Sequence, residues 1–168
     1  MVDLPHSSPR PPTTVLLVDD DPSTLLICRK ILEAEGFIVL QAAGSSEALK
    51  LQADHHAPIG LVVTDIMLPP PGFQLSTAGN PYPRVNGREL AELLLRAKGE
   101  LRIIFMSTSS KEQLLAGEMI PADAPFLKKP FGTEAFRDMI HKVLAGPPAT
   151  KQLKNRGPAS SKDIDWFG

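Results

Sequence analysis

The run Leu61-Val62-Val63-Thr64 climbs to a single carboxylate, Asp65, and the chain turns at Pro69. A short, continuous apolar run of this kind reads as a strand buried on both faces. A carboxylate at its end is presented at the sheet's carboxyl edge, where open parallel α/β sheets bind their ligands. A lone aspartate there also has the look of a helix N-cap. Three further runs narrow the choice. Val15–Val18 ends in Asp19-Asp20-Asp21, Ile103–Met106 ends in Ser107-Thr108, and Phe126-Leu127 ends in Lys128-Lys129-Pro130. Acids, acid, hydroxyl and amine thus arrive at strand ends in that order, a set suited to metal-assisted phosphoryl transfer.

The chain around these runs is 168 residues long, which allows one domain with extensions or at most two very small ones. It is 42% hydrophobic and 22% charged, enough for a real core. With 18 basic against 19 acidic residues its net charge is -1, which argues against wholesale nucleic-acid or membrane binding. A single cysteine, Cys28, excludes an internal disulfide and a cysteine-based metal cluster; its helical neighbours give it a buried apolar role. No apolar run approaches a membrane span, and the proline-broken N-terminus lacks a signal peptide's apolar region. The chain reads as cytoplasmic.

Taken in order, residues 1–14 carry Pro5, Pro9, Pro11 and Pro12 and read as a disordered, partly polyproline leader. Val15–Val18 is the first strand. Pro22 suits a first helical turn, and Leu25, Cys28 and Leu32 repeat at helical spacing until Gly36. Phe37–Leu40 is the second strand, and a second helix runs from Ser45 to about Leu51. Ile59–Thr64 is the third strand, with a helix from about Arg88 to Ala97. Leu101–Met106 is the fourth strand, followed by a short helix over Lys111–Glu118 hemmed in by Pro121 and Pro125. Phe126-Leu127 is a brief fifth strand. Phe136, Met139, Ile140, Val143 and Leu144 line one face of a final helix. Alternating strands and helices with short links imply βαβ units around a parallel sheet, a doubly wound α/β fold spanning 15–145.

Two segments break the rhythm. The sixteen residues Pro70–Val85 are rich in proline and glycine and form a loop longer than most α/β connections. They are expected to act as a lid over the site or as a partner contact, the alternative being a mobile surface insertion that loops tolerate at little entropic cost. Residues 146–168 read as a flexible tail, with four cations against two aspartates, closing in Ile164-Asp165-Trp166-Phe167.

At the strand ends, Asp19 and Asp20 can converge on Asp65 only because their strand has finished. Two carboxylates ~4 Å apart repel by roughly 4 kcal/mol at an effective dielectric near 20. Such a cluster protonates or recruits a cation, and Mg²⁺ is the natural candidate. Against this, Asp20 or Asp21 can simply cap the following helix, and Asp21 is assigned mostly to that role. Asp65 is the candidate nucleophile, able to form an acyl phosphate, or else one more metal ligand. Lys129 suits pairing with phosphate or carboxylate, while Lys128 reads as solvated. Ser107 either donates to a phosphate oxygen or caps the next helix.

The ordered motifs resemble the receiver domain of bacterial two-component response regulators. The matching text is Val-Asp19-Asp20, Thr-Asp65-Ile-Met-Leu-Pro69, Asn86-Gly87-Arg-Glu-Leu90, Met-Ser107-Thr108 and Lys128-Lys129-Pro130-Phe131, over about Val15 to Ala145. The resemblance implies a CheY-like, flavodoxin-like fold: a five-stranded parallel sheet in the order 2-1-3-4-5 with helices on both faces. It implies Asp65 as phospho-acceptor, with Asp19, Asp20, Asp65 and the backbone carbonyl of Met67 around Mg²⁺. Ser107 and Lys129 would contact the phosphoryl group, Ser107 and Phe126 would form the switch, and the Lys129–Pro130 bond would be cis. The implied partners are a histidine kinase or histidine phosphotransfer protein upstream and another protein downstream. Three departures stand out: the 70–85 insertion, the prolines at 121 and 125 where receivers usually display a signalling face, and the lack of a following output module. The expectation is a stand-alone receiver, a phospho-acceptor that promotes its own phosphotransfer and dephosphorylation without a separate enzymatic domain.

Two rivals remain. Asp19-x-Asp21 with a later Ser and Lys resembles the opening motifs of haloacid-dehalogenase-type phosphatases, which also use Mg²⁺ and an aspartyl phosphate. That family sets its nucleophile on the first strand and an acidic motif after its lysine, and no such motif follows Lys129. A phosphorylation-independent pseudo-receiver scaffold is the other, opposed by the presence of every acceptor residue.

Overall fold

The computed structural model describes residues 12–68, 82 and 84–149. Most of the 70–85 insertion, residues 1–11 and residues 150–168 lie outside the described residues. Five strands alternate with five helices: β1 Thr14–Val18, α1 Pro22–Ala34, β2 Ile38–Ala42, α2 Ser45–Asp54, β3 Ile59–Asp65, α3 Gly87–Lys98, β4 Arg102–Ser107, α4 Lys111–Ala116, β5 Phe126–Lys128 and α5 Thr133–Ala145. The sheet order is β2-β1-β3-β4-β5 with every pairing parallel. This is the doubly wound 2-1-3-4-5 arrangement expected from the sequence.

Alternation along the central strands divides the apolar side chains between two cores. Leu16, Val18, Val62, Ile103 and Phe105 face α2, α3 and α4, which contribute Ala48, Leu90, Leu94 and Leu114. Val15, Leu17, Leu61, Val63, Ile104 and Met106 face α1 and α5, which contribute Leu25, Cys28, Leu32, Phe136 and Ile140. Burial and a neighbouring Asp19 push the Cys28 thiol up to about 12, in keeping with a packing role.

The element limits differ from expectation in ways that packing explains. β2 runs Ile38–Ala42, not Phe37–Leu40, because Gly36 ends α1 at a φ of +87° and the register with β1 starts at Thr14 opposite Ile38. Thr14, assigned to the leader, is buried in β1. α2 extends to Asp54, past the expected Leu51. α4 stops at Ala116, short of Glu118, which turns the chain with a φ of +53°. α5 ends at Ala145 as expected, but the chain stays attached for a few residues beyond it. Gly146 O accepts from Arg102 Nε at 3.1 Å, Ala149 N–H donates to Leu101 O at 2.9 Å, and Pro148 is buried. The start of the expected tail is therefore pinned beside the start of β4.

A clasp joins the ends of α1 and α5. Glu35 accepts from Arg137 at 2.6 Å and from His141 at 3.0 Å. Arg137 first, then His141, hold its carboxyl below the ordinary 4.5. A depressed carboxylate stabilises above its ordinary value and loses that contribution as pH falls through its folded value. The pair is exposed, so its contribution is small. Thermal melts of wild type and Glu35→Gln should therefore differ slightly at neutral pH and converge as pH drops below the ordinary carboxylate range. A difference that grows toward acid would contradict the clasp.

Candidate functional site at the carboxyl edge

β1 and β3 are neighbours at the middle of the sheet, and Val18 pairs with Thr64. The residue after each member of that pair is an aspartate, so Asp19 and Asp65 emerge side by side. Asp19 is fully buried and Asp65 is 6% exposed, while Asp20 faces solvent. One carboxylate oxygen from each of the three lies within 4.8 Å of the others. Lys129 follows β5 and reaches across β4, where its Nζ donates to Asp19 Oδ2 and, at 2.5 Å, to Asp65 Oδ2. The remaining oxygen of each carboxylate is held by an amide two residues on. Asp21 N–H donates to Asp19 Oδ1 at 2.9 Å, and Met67 N–H to Asp65 Oδ1 at 2.8 Å. Both are local Asx turns, which aim the carboxylates before any ligand arrives.

One ammonium faces three clustered carboxylates, so the pocket keeps an excess of negative charge. Burial pushes the Asp19 carboxyl above its ordinary value, although Lys129 and the Asp21 amide pull against it. Burial alone would lower Lys129, but its bonds to Asp19 and Asp65 outweigh that and hold the ammonium above its ordinary value. Lys129 is thus a charged counter-ion shared by two buried carboxylates.

The open assignments resolve as follows. The cap of α1 is Asp21, whose two oxygens accept from Ser23 N–H at 3.0 Å and Thr24 Oγ1 at 2.8 Å. The cap of α4 is Ser110, in a capping box with Gln113, and not Ser107. Ser107 is fully buried at the end of β4, where its Oγ accepts from Ser109 N–H at 3.1 Å. That leaves its hydroxyl proton to donate. Lys128 is exposed, and Phe126 is half-buried opposite Phe105. The Met67 side chain points outward, at 58% exposed, while its amide holds Asp65. The Lys129–Pro130 peptide is cis.

Three local arrangements carried no role in the sequence reading, although the quoted motifs include Asn86-Gly87. Thr64 Oγ1 donates to Asp65 O at 3.0 Å, and Gly87 packs so tightly that a Cβ there would lie 2.0 Å from the same oxygen. Asn86 caps α3 directly after the insertion, with Glu89 completing the box. The third arrangement is Ser45–Ser46 at the start of α2. Ser46 Oγ donates to Tyr82 O at 2.7 Å and Ser45 Oγ accepts from Val85 N–H at 2.8 Å, which ties down the returning end of the insertion. The Asn86-Gly87 pair was the readable signal for the second; the serines carried none.

Residues 15–78 match the family model for the response regulator receiver domain. Among curated proteins the chain is similar to the sensor kinase CckA of Brucella abortus, at 26% identity over 133 residues that cover 78% of this chain and 12% of the kinase. It is likewise similar to the response regulator SaeR of Staphylococcus aureus, at 26% over 132 residues, covering 79% of this chain and 50% of SaeR. The chain thus spans half or less of the length of these relatives. Among solved structures it is similar to a CheY-like receiver domain protein from Methanospirillum hungatei, with a TM-score of 0.61 and 25% identity, covering 86% of this chain and 98% of that one. The receiver domain of HemR from Leptospira biflexa aligns with a TM-score of 0.58 and 27% identity, covering 80% and 95%.

Proposed function

We propose that the chain is a response regulator receiver that accepts a phosphoryl group on Asp65 from a histidine kinase or histidine phosphotransfer protein and signals by binding another protein. The observation that carries this reading is the shared lysine: Lys129 spans Asp19 and Asp65 at the carboxyl edge, with Asp20 beside them. Among the described residues no helix is long and apolar enough to cross a membrane.

An oxygen-only donor set of clustered carboxylates fits Mg²⁺, which commonly takes one or two carboxylates plus phosphate and keeps several waters. Asp19, Asp20, Asp65 and the Met67 carbonyl would hold it. Bound there, it supplies neutralisation of the charge on the moving phosphoryl group.

The rest is the work of this chain's own residues. One Asp65 oxygen attacks phosphorus, the bond from phosphorus to the donor breaks, and its electron pair leaves with the donor. The Met67 amide keeps the carboxylate from rotating during that approach. Lys129 exchanges a carboxylate contact for a phosphoryl oxygen and remains charged as the negative charge grows. The Ser107 hydroxyl donates to a second phosphoryl oxygen. Drawing Ser107 toward Asp65 shifts the end of β4, and Phe126, half-buried and beside a cavity, has room to change rotamer. Attack by water on the same phosphorus breaks its bond to the Asp65 oxygen and releases inorganic phosphate, with the site that aided uptake also promoting this loss.

Intact mass after incubation with acetyl phosphate tests the reading. The expected gain is one phosphoryl group, requiring Mg²⁺ and absent in Asp65→Asn. Phosphate recovered on Asp19 would instead favour phosphatase-type chemistry, and no gain at all would favour a scaffold.

A further inference from the structure

β5 is the edge strand of the sheet, and between it and the six-residue α4 the chain turns through Pro121 and Pro125. Beneath that short helix is a cavity of about 360 Å³, walled on the apolar side by Phe105, Phe126, Met139 and Val143. That size falls within the range of built ligand pockets. The charged residues on its wall are Arg102, Lys111 and Lys142 against Asp123, so it is apolar inside and basic at the rim. The chain itself supplies the other half of the observation. Ala149, held to Leu101 O, forms part of the cavity wall, and residues 150–168 continue from it. That segment is basic first, with Lys151, Lys154, Arg156 and Lys162, and then acidic and aromatic: Asp163-Ile164-Asp165-Trp166-Phe167.

We propose that residues 163–167 dock back into this cavity, with Trp166 filling the space beside Phe126 and Asp163 and Asp165 facing Lys111 and Lys142. The thirteen residues 150–162 can span up to about 40 Å when extended, ample for a return to a site on which the segment begins. Tethering at this length gives an effective concentration on the order of millimolar, so a weak contact suffices. The basic first half keeps clear of the basic rim, and the acidic second half complements it. An aromatic side chain brings the most apolar area for the fewest rotors to be fixed.

Trp166 is the chain's only tryptophan, so its fluorescence reports on the segment alone. In the full chain its emission should lie to the blue of that of a synthetic 150–168 peptide. A dock favoured about tenfold, or ~1.4 kcal/mol, should cut acrylamide quenching by roughly that factor. Lys111→Glu with Lys142→Glu should restore peptide-like quenching, and so should Asp163→Lys with Asp165→Lys; neither pair touches the Asp65 site. Quenching equal to the peptide's in the unmodified chain overturns the proposal. Protection that survives both charge reversals places the segment elsewhere and overturns it too. Protection that grows with protein concentration assigns the contact to a second copy and overturns the intramolecular dock.

Discussion

Replacing Lys129 with methionine should lower the stability of the metal-free protein by about 3–5 kcal/mol, the usual cost of leaving a buried charge without its partner. The lysine side chain is 13% exposed, and it faces Asp19 at 0% and Asp65 at 9%. With the ammonium gone, the Asp21 and Met67 amides still hold one oxygen each, but both carboxylates remain charged and close. Asp19 is already raised by burial, and losing Lys129 removes the largest influence pulling it down. A carboxyl raised in the folded state stabilises below its unfolded value and loses that contribution as pH rises through the folded value. The deficit of Lys129→Met should therefore be greatest at neutral pH and shrink toward pH 4. A divalent cation replaces the missing charge, so Mg²⁺ should raise the melting temperature of the variant by more than that of wild type. Phosphoryl uptake from acetyl phosphate should fall in the same variant even with Mg²⁺ saturating. Denaturant midpoints in EDTA that match between the two proteins would show that the bridge carries no energy.

The same lysine shows how far the sequence could be read. Asp19, Asp65, Ser107 and Lys129 were legible as polar residues at or just after the end of an apolar run, because a buried strand tolerates such a residue only at its end. The pairing of Lys129 with Asp19 joins positions 110 apart and follows only from the sheet order, which sets β5 beside β4 and β1 beside β3. That order came from resemblance rather than from periodicity. Boundaries failed where packing outweighs composition. Gly146–Ala149 reads as tail because it is rich in glycine and proline, yet Arg102 and Leu101 pin it. Ser107 reads equally as a donor or as the cap of the next helix, and only the geometry gives the capping role to Ser110. The returning end of the insertion is tied to Ser45 and Ser46 by single hydrogen bonds, for which no pattern in the sequence exists.

Gly87 is the position where a single methyl group should cost most. A Cβ there would sit 2.0 Å from Asp65 O, 2.8 Å from its carbonyl carbon and 2.8 Å from Ile66 Cα. All three are backbone atoms, so no side chain can swing aside. Gly87 N–H also donates to Ile66 O at 2.9 Å, and Thr64 Oγ1 occupies another side of the Asp65 carbonyl. Relief must come from moving α3 off β3 or from moving the strand end that carries Asp65. Overpacking a core usually costs about 1–3 kcal/mol through side-chain shifts. With backbone on both sides, Gly87→Ala should lie at the top of that range or above it. The control is Gly146→Ala, where the nearest atoms are ordinary contacts at 3.5 and 3.6 Å. Its effect should stay within about 1 kcal/mol and tend toward stabilisation through the unfolded chain. Chemical denaturation of the two variants separates the cases. Any Gly87→Ala protein that stays folded should also take up phosphate more slowly, because the strain falls on the main chain of Asp65 itself. Wild-type stability and uptake in that variant would mean that α3 yields freely, and that its close seat on β3 does not position the acceptor.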